Sequence, residues 1–238
     1  MEFIKSIVLL LSLLFIMSCG KDKPAERTPV FLKPAMDIDG NEYATIKIGD
    51  QVWMTENLKV TRLNDGTAIS ERISSIEGDY WFLNSRTDPM YIWPNTEDLE
   101  DLHDEELPQD FYGMLYSHAA IQSGKLAPAG WRIPTEEDFN ILINQLKLEG
   151  FTNLSLALRS TEGWAAGQNG LDAVGFKVLP NGYCSATGQV FTSQDLGTLF
   201  TIDTSGNFRM TVNFLGNAEI GIRLNDNRFG GGVRCIKE

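Results

Sequence analysis

The sequence predicts an α+β domain, and three observations carry that expectation. Short apolar runs broken by turn dipeptides open the domain at about residue 36, two helical segments occupy its middle, and further short β-like runs fill its end. Strands at both ends around a helical centre give one mixed domain rather than separate all-α and all-β units.

The chain begins with a different kind of segment. Lys5 supplies a positive end, and Ile7 to Ile16 form an apolar stretch of ten residues. That is too short to cross a hydrocarbon core of ~30 Å as a helix, and it reads as a removable export signal. It closes on Phe15-Ile16-Met17-Ser18-Cys19. This run resembles the lipobox of bacterial lipoproteins, in which the cysteine becomes the new N-terminus and is acylated. Several acyl chains on one residue anchor stably, since each buried CH₂ contributes ~0.8 kcal/mol. The expected organisation is a signal peptide over 1–18, lipidation at Cys19, a flexible tether over 19–35 and a domain over 36–238. The tether expectation rests on Lys21, Asp22, Lys23, Glu26 and Arg27 interspersed with Pro24, Pro29 and Pro34, without apolar periodicity.

The formal charge is −12, and loss of Glu2 with Lys5 leaves it unchanged. No basic cluster exists to displace counterions from phosphates, so nucleic acid is excluded as a partner. Contact with a membrane falls to the lipid alone. The length permits a sizeable core without disulfide stapling.

Within the domain, Asp39-Gly40 is a tight turn that precedes the alternating Tyr43, Ile46 and Ile48, and Gly49-Asp50 is the next turn, before the strand Val52-Trp53-Met54. Glu97 to Asp110 is rich in acids but lacks the ligand spacing and central glycine of a calcium loop, and it reads as a solvated insertion. A short helix is expected over Ser117 to Ser123. Thr135-Glu136-Glu137-Asp138 opens the clearest helix with a capping box. Phe139, Leu142, Ile143 and Leu146 make its buried face, and Gly150 stands where a left-handed cap ends it. The later strands are expected at 175–179, 188–192, 198–203, 208–215, 218–224 and 233–237. Gly230-Gly231-Gly232 precedes a strand and reads as a tight turn or bulge.

Chemistry is sparse. His103 and His118 lie in no recognisable motif, and there is no nucleophile elbow, zinc helix, Cys-x-x-Cys or phosphate-binding glycine loop. No metal or cofactor is expected. Cys184 and Cys235 are the thiols left beside Cys19, and in an oxidising compartment they either pair or remain two buried, inert thiols.

Four ordered blocks carry a resemblance. These are Asp37 to Leu58, Tyr112 to Tyr116 with Gly130-Trp131-Arg132-Ile133-Pro134-Thr135, Gly175 to Tyr183, and Val233-Arg234-Cys235-Ile236-Lys237. Together they are similar to the Fibrobacter succinogenes major paralogous domain. The block before the long helix is also similar to formylglycine-generating-enzyme-like domains, and so the resemblance implies, at one remove, a C-type-lectin-like fold. It departs where relatives are expected to carry a cysteine and this chain has Ala127, and where Leu199-Phe200-Thr201 replaces a tryptophan-serine block. In C-type-lectin-like domains ligands bind loops and strands after the second helix. That region here holds Arg159, Trp164, Gln168, Asn169 and Asp172, then Asn225, Asp226, Asn227 and Arg228. An exposed tryptophan face with amides and carboxylates suits a sugar or a protein. Trp164, Asn169, Asp172 and Asn225 to Arg228 are the ligand residues expected, although the same tryptophan type also serves as packing and the same Asn-Asp-Asn as a plain turn. The familiar calcium-lectin motifs are absent.

The expected protein is a non-catalytic, lipid-anchored module of the cell envelope, at the outer membrane or cell surface, for binding a glycan or an envelope protein. An enzyme on the formylglycine-generating scaffold and a structural component of a surface assembly are the alternatives.

Overall fold

Alternation in the first two hairpins places one sheet between two apolar clusters, and the rest of the chain assembles on its faces. In the computed structural model the described residues are 27–72, 81, 84–94, 108–191, 196–202, 208–215 and 220–238. The central sheet has the order β1-β2-β3-β13-β7. Its strands are β1 (Val30–Met36), β2 (Glu42–Ile48), β3 (Gln51–Met54), β7 (Trp131–Arg132) and β13 (Ile236–Lys237). Both expected turns are present, with Gly40 at φ 86 and Gly49 at φ 58, the left-handed region that glycine enters without penalty. Asp37 fastens the first by accepting the N–H groups of Asp39 and Asn41, each at 2.9 Å.

Side chains two apart share a face. Ile46, Ile48, Trp53 and Ile236 join one cluster, and Tyr43, Met54 and Cys235 join the other. Over the first face lie α2 (Glu136–Leu148), through Phe139, Leu142 and Leu146, and α3 (Leu154–Leu158), through Ala157 and Leu158. Over the second lies α1 (His118–Gln122), through Ala120 and Ile121.

Helix α2 is bounded as its sequence dictates. Thr135 Oγ1 accepts the Asp138 N–H at 3.3 Å, and the Asp138 carboxylate accepts the Thr135 N–H at 2.7 Å, completing the capping box. At the other end Phe151 N–H reaches Leu146 O at 3.1 Å and Gly150 N–H reaches Lys147 O at 3.0 Å. With Gly150 at φ 89 this is a Schellman cap, and Phe151 and Leu146 share the core beneath it.

Three smaller sheets complete the fold. They are β10 (Leu196–Phe200), β11 (Phe208–Leu215) and β12 (Ile220–Asp226), all antiparallel; β4 (Ser70–Glu71), β5 (Met90–Ile92) and β6 (Leu115–Tyr116); and β8 (Tyr183–Cys184) with β9 (Val190–Phe191). Small, mostly antiparallel sheets with few helices form an α+β fold.

Four expectations need correction. Residues 27–35 of the expected tether belong to the fold. Arg27 donates to Glu149 at 2.8 Å and to Lys47 O at 2.6 Å, and β1 pairs with β2 from Val30. The strand escaped detection because it is an outer edge open on both faces, which leaves no inside-outside alternation to read. Residues 175–179 make a single bridge, Val178 to Arg159, rather than a strand. The five-residue α3, capped by Asn153, was not expected at all. Finally, Gly230-Gly231-Gly232 is neither a turn nor a bulge. It threads between sheets, bridging Cys184, Tyr116 and Leu199 in turn. A Cβ at these positions would run into the rings of Trp81 and Phe200 and the amide of Asn181, so close approach is what requires glycine. Cys19, the export signal, His103 and the acidic run 97–106 lie outside the described residues.

Candidate functional site

The expected ligand residues separate into two places with different fates. The first is the segment 159–172. Its neck is closed by Gly170 N–H to Ser160 O at 2.7 Å and Asp172 N–H to Arg159 O at 2.9 Å, which folds the loop back onto the core. Trp164 is 0 % exposed, so it presents no face to a ligand, contrary to expectation. Its Nε1 donates to Ser160 Oγ at 3.0 Å and Val178 O at 3.1 Å, and the Arg159 guanidinium lies 4.8 Å from its ring centroid. Asn169 accepts the Trp164 N–H at 3.2 Å. Asp172 adopts φ 43 and accepts the Lys177 N–H at 2.9 Å. Burial pushes the Asp172 carboxyl up from its ordinary value, against the pull of the Lys177 N–H. These residues hold a loop together.

The second place is the end of β12. Register in β10, β11 and β12 sets Leu199, Val212, Phe214, Ile220 and Ile222 toward the core. The alternate positions Leu196, Thr198, Asn213, Arg223 and Asn225 therefore share the opposite face. With Tyr183 and Phe229 they line a depression of about 190 Å³. Tyr183 stacks on Phe191 with centroids 5.3 Å apart and interplanar angle 22°, and meets Phe229 at 5.7 Å and 33°. Asp226 accepts the backbone N–H of Arg228 at 2.9 Å and its Nε at 3.0 Å. The Arg228 guanidinium holds the Asp226 carboxyl below the usual carboxylate range. Of the four residues expected here, Asn225 lines the depression, while Asp226, Asn227 and Arg228 form the turn that leads on to Phe229. Sequence reading missed Tyr183, Asn213, Arg223 and Phe229, although the alternation Ile220-Gly221-Ile222-Arg223-Leu224-Asn225 already separates two faces.

A larger cleft of about 270 Å³ forms where residues 55–59, 108–111, 160–162 and 177–179 converge. Glu56, Glu162 and Lys177 line it beside the ion pair Lys59–Asp110 at 3.1 Å. Its Asn57 side chain is already engaged, donating to Tyr112 O at 3.0 Å and accepting Arg234 at 3.0 and 3.2 Å. Arg234 is wholly buried, donates also to the carbonyls of Phe176 and Lys177, and lies over the Phe176 ring. Desolvation brings its pKa down to about 9. It is the structural peg that joins the C-terminal strand to both neighbouring loops.

Cys184 and Cys235 are free and buried. They do not pair, because Cys235 belongs to the cluster around Tyr43 and Met54, while Cys184 packs with Trp81, Met90 and Leu115. Burial pushes both thiols up, which keeps them protonated.

The family model for the Fibrobacter succinogenes major domain matches residues 46–237, and the chain belongs to that family. Comparison with curated proteins and with solved structures gives no match.

Proposed function

We propose that this family member is a non-catalytic binding head of the cell envelope, lipid-anchored at Cys19 and C-type-lectin-like in fold, that holds a glycan on the outer face of β10, β11 and β12. The observation that carries the reading is the depression that combines the rings of Tyr183 and Phe229 with Asn213, Arg223 and Asn225. Aromatic faces stack on the apolar face of a pyranose, and amides and a guanidinium direct hydrogen bonds to its hydroxyls. At about 190 Å³ it lies below the ~300 Å³ at which pockets for drug-sized ligands begin. One sugar ring fits, with the rest of the chain in solvent.

Two further observations support a binding role over the formylglycine-generating alternative. That chemistry needs reactive thiols, and both thiols are buried, in separate clusters, and pushed up in pKa. The paired charges of the larger cleft favour an envelope-protein segment as a second ligand, since positive lysines and negative carboxylates line it together.

A glycan array with the mature chain tests the first reading. Binding is expected, and Phe229→Ala and Asn225→Ala weaken it about tenfold or more while the fold persists. An array with no bound glycan, or one that both variants leave intact, removes the glycan reading.

A further inference from the structure

Large apolar side chains are exposed unevenly. Val30 is 51 % exposed, Phe31 54 %, Leu32 41 %, Met36 59 % and Ile38 38 %. Only five others of this kind occur among the described residues, so half of them fall within nine consecutive positions. Such a concentration at the edge of a sheet marks a contact surface.

Its position in the chain identifies the occupant. The expected tether loses residues 27–35 to the fold, because Arg27 is fixed to Glu149 and Lys47. Eight residue steps then separate Cys19 from Arg27, a reach of at most about 29 Å at ~3.6 Å each. Leu148, 84 % exposed, precedes Glu149, the residue that holds Arg27 where the tether arrives. An acyl anchor at Cys19 therefore holds the start of this edge, where Val30 pairs with Lys47, within reach of the lipid.

A second copy of the chain is the competing occupant, and two features disfavour it. Strand addition needs a regular row of backbone donors, but Pro34 has no N–H, and the β1–β2 register shifts between Leu32 and Ala35. Both devices blunt an edge against pairing. An interface without backbone hydrogen bonding is unaffected by them. With a formal charge of −12 the chain is not drawn to an anionic surface, so apolar contact with a zwitterionic bilayer is the attraction that remains.

We infer that the head lies on the membrane by its β1 edge, with Val30, Phe31, Leu32 and Met36 in the lipid interface beside the anchor. The inference rests on the proposed acylation of Cys19.

The test uses the processed full-length chain in phosphatidylcholine vesicles, with the state of Cys19 read by mass spectrometry. Single cysteines for a fluorescent label replace Leu32, Met36 or, as a control, the more exposed Leu224; Cys184 and Cys235 are buried and do not compete for label. Nitroxide lipids are expected to quench the label at Leu32→Cys and Met36→Cys several-fold more than at Leu224→Cys. Two positions keep the test decisive if one variant fails to fold. An acylated chain quenched no more at 32 and 36 than at 224 overturns the docking alone. Protection at 32 that grows with protein density without lipid quenching overturns it in favour of a second copy. An unmodified Cys19 overturns anchor and docking together.

Discussion

The segment 159–172 and the turn 225–229 contain the same residue types and use them in opposite ways. Each has an arginine, an aspartate, an asparagine and a large aromatic ring. In the first, Trp164 is fully buried with its N–H satisfied inside the protein, and Arg159 lies over it at 2 % exposure. In the second, Arg228 remains at the surface in an ion pair with Asp226, and Phe229 stands half-buried at the wall of an open depression. Burial of the ring and its arginine, not residue type, separates a loop anchored in the core from a loop that can meet a ligand. The difference has consequences that can be measured one residue at a time.

The largest effect belongs to the buried ring. Trp164→Ala is expected to lower stability by about 3–5 kcal/mol, the range for removing a core aromatic. Denaturant unfolding reads this directly. Glycan affinity of the molecules that remain folded should be unchanged, and a variant that folds normally yet loses ligand would assign Trp164 to the site after all.

Next come the groove residues, where the two readouts reverse. Phe229→Ala and Asn225→Ala are expected to weaken glycan binding by about tenfold or more, equivalent to ~1.4 kcal/mol. Asn225→Ala should hardly move the unfolding midpoint, and Phe229→Ala should lower it less than Trp164→Ala does, because Phe229 is only half-buried against the core. Calorimetric titration alongside thermal unfolding separates the two quantities.

Much of the architecture was legible because local signals and tertiary contacts agree. Thr135, Asp138 and Gly150 bound α2 by short-range geometry, and Asp39-Gly40 and Gly49-Asp50 need nothing beyond their own dihedral freedom. Strand β11 runs over the residues its pattern marks, Phe208–Leu215. What escaped was decided by distant partners. Trp164 is flanked by Gly163 and Ala165-Ala166-Gly167, which show no apolar periodicity, while the groups that hold it in space are Ser160 and Val178. The glycine run looks like a turn until Trp81, Phe200 and Asn181 are brought against it. Tyr183 and Phe229 are far apart in the chain and become one wall only when β8 and the β12 turn meet. No periodicity reports such a meeting.

A smaller effect distinguishes the two arginines. Nε and Nη1 of Arg159 have no hydrogen-bond partner, and burial alone lowers its pKa. Replacing a buried polar group that lacks partners by an apolar one of similar length is nearly neutral or stabilising. Arg159→Met is therefore expected to leave stability within about 1 kcal/mol or raise it. A loss well beyond that in urea unfolding would mean that the guanidinium stabilises the loop, through its contact with the Trp164 ring or an ordered water.

The finest contrast is between the two aspartates, whose pKa values move in opposite directions. Burial raises Asp172, the dominant influence on it, whereas the hydrogen bond from Arg228 lowers Asp226. In the unfolded chain both titrate near ~3.9. Between that value and its higher folded value, Asp172 binds more protons in the native state, so its contribution falls as pH rises. Between its lower folded value and ~3.9, Asp226 binds more protons in the unfolded state, so its contribution is present above that window and is lost as pH falls through it. Asp172→Asn keeps an oxygen for the Lys177 N–H while removing the half-buried charge, and asparagine tolerates the left-handed backbone there at least as well. Its pH-dependent part should stabilise the protein at neutral pH and vanish in acid. Asp226→Asn should destabilise slightly at neutral pH and likewise vanish in acid. Unfolding midpoints followed from neutral pH to below pH ~4 would show the two difference curves approaching zero from opposite sides. Curves of the same sign would mean that the Asp172 carboxylate is open to water, which would undo the distinction between the two aspartates at its physical root.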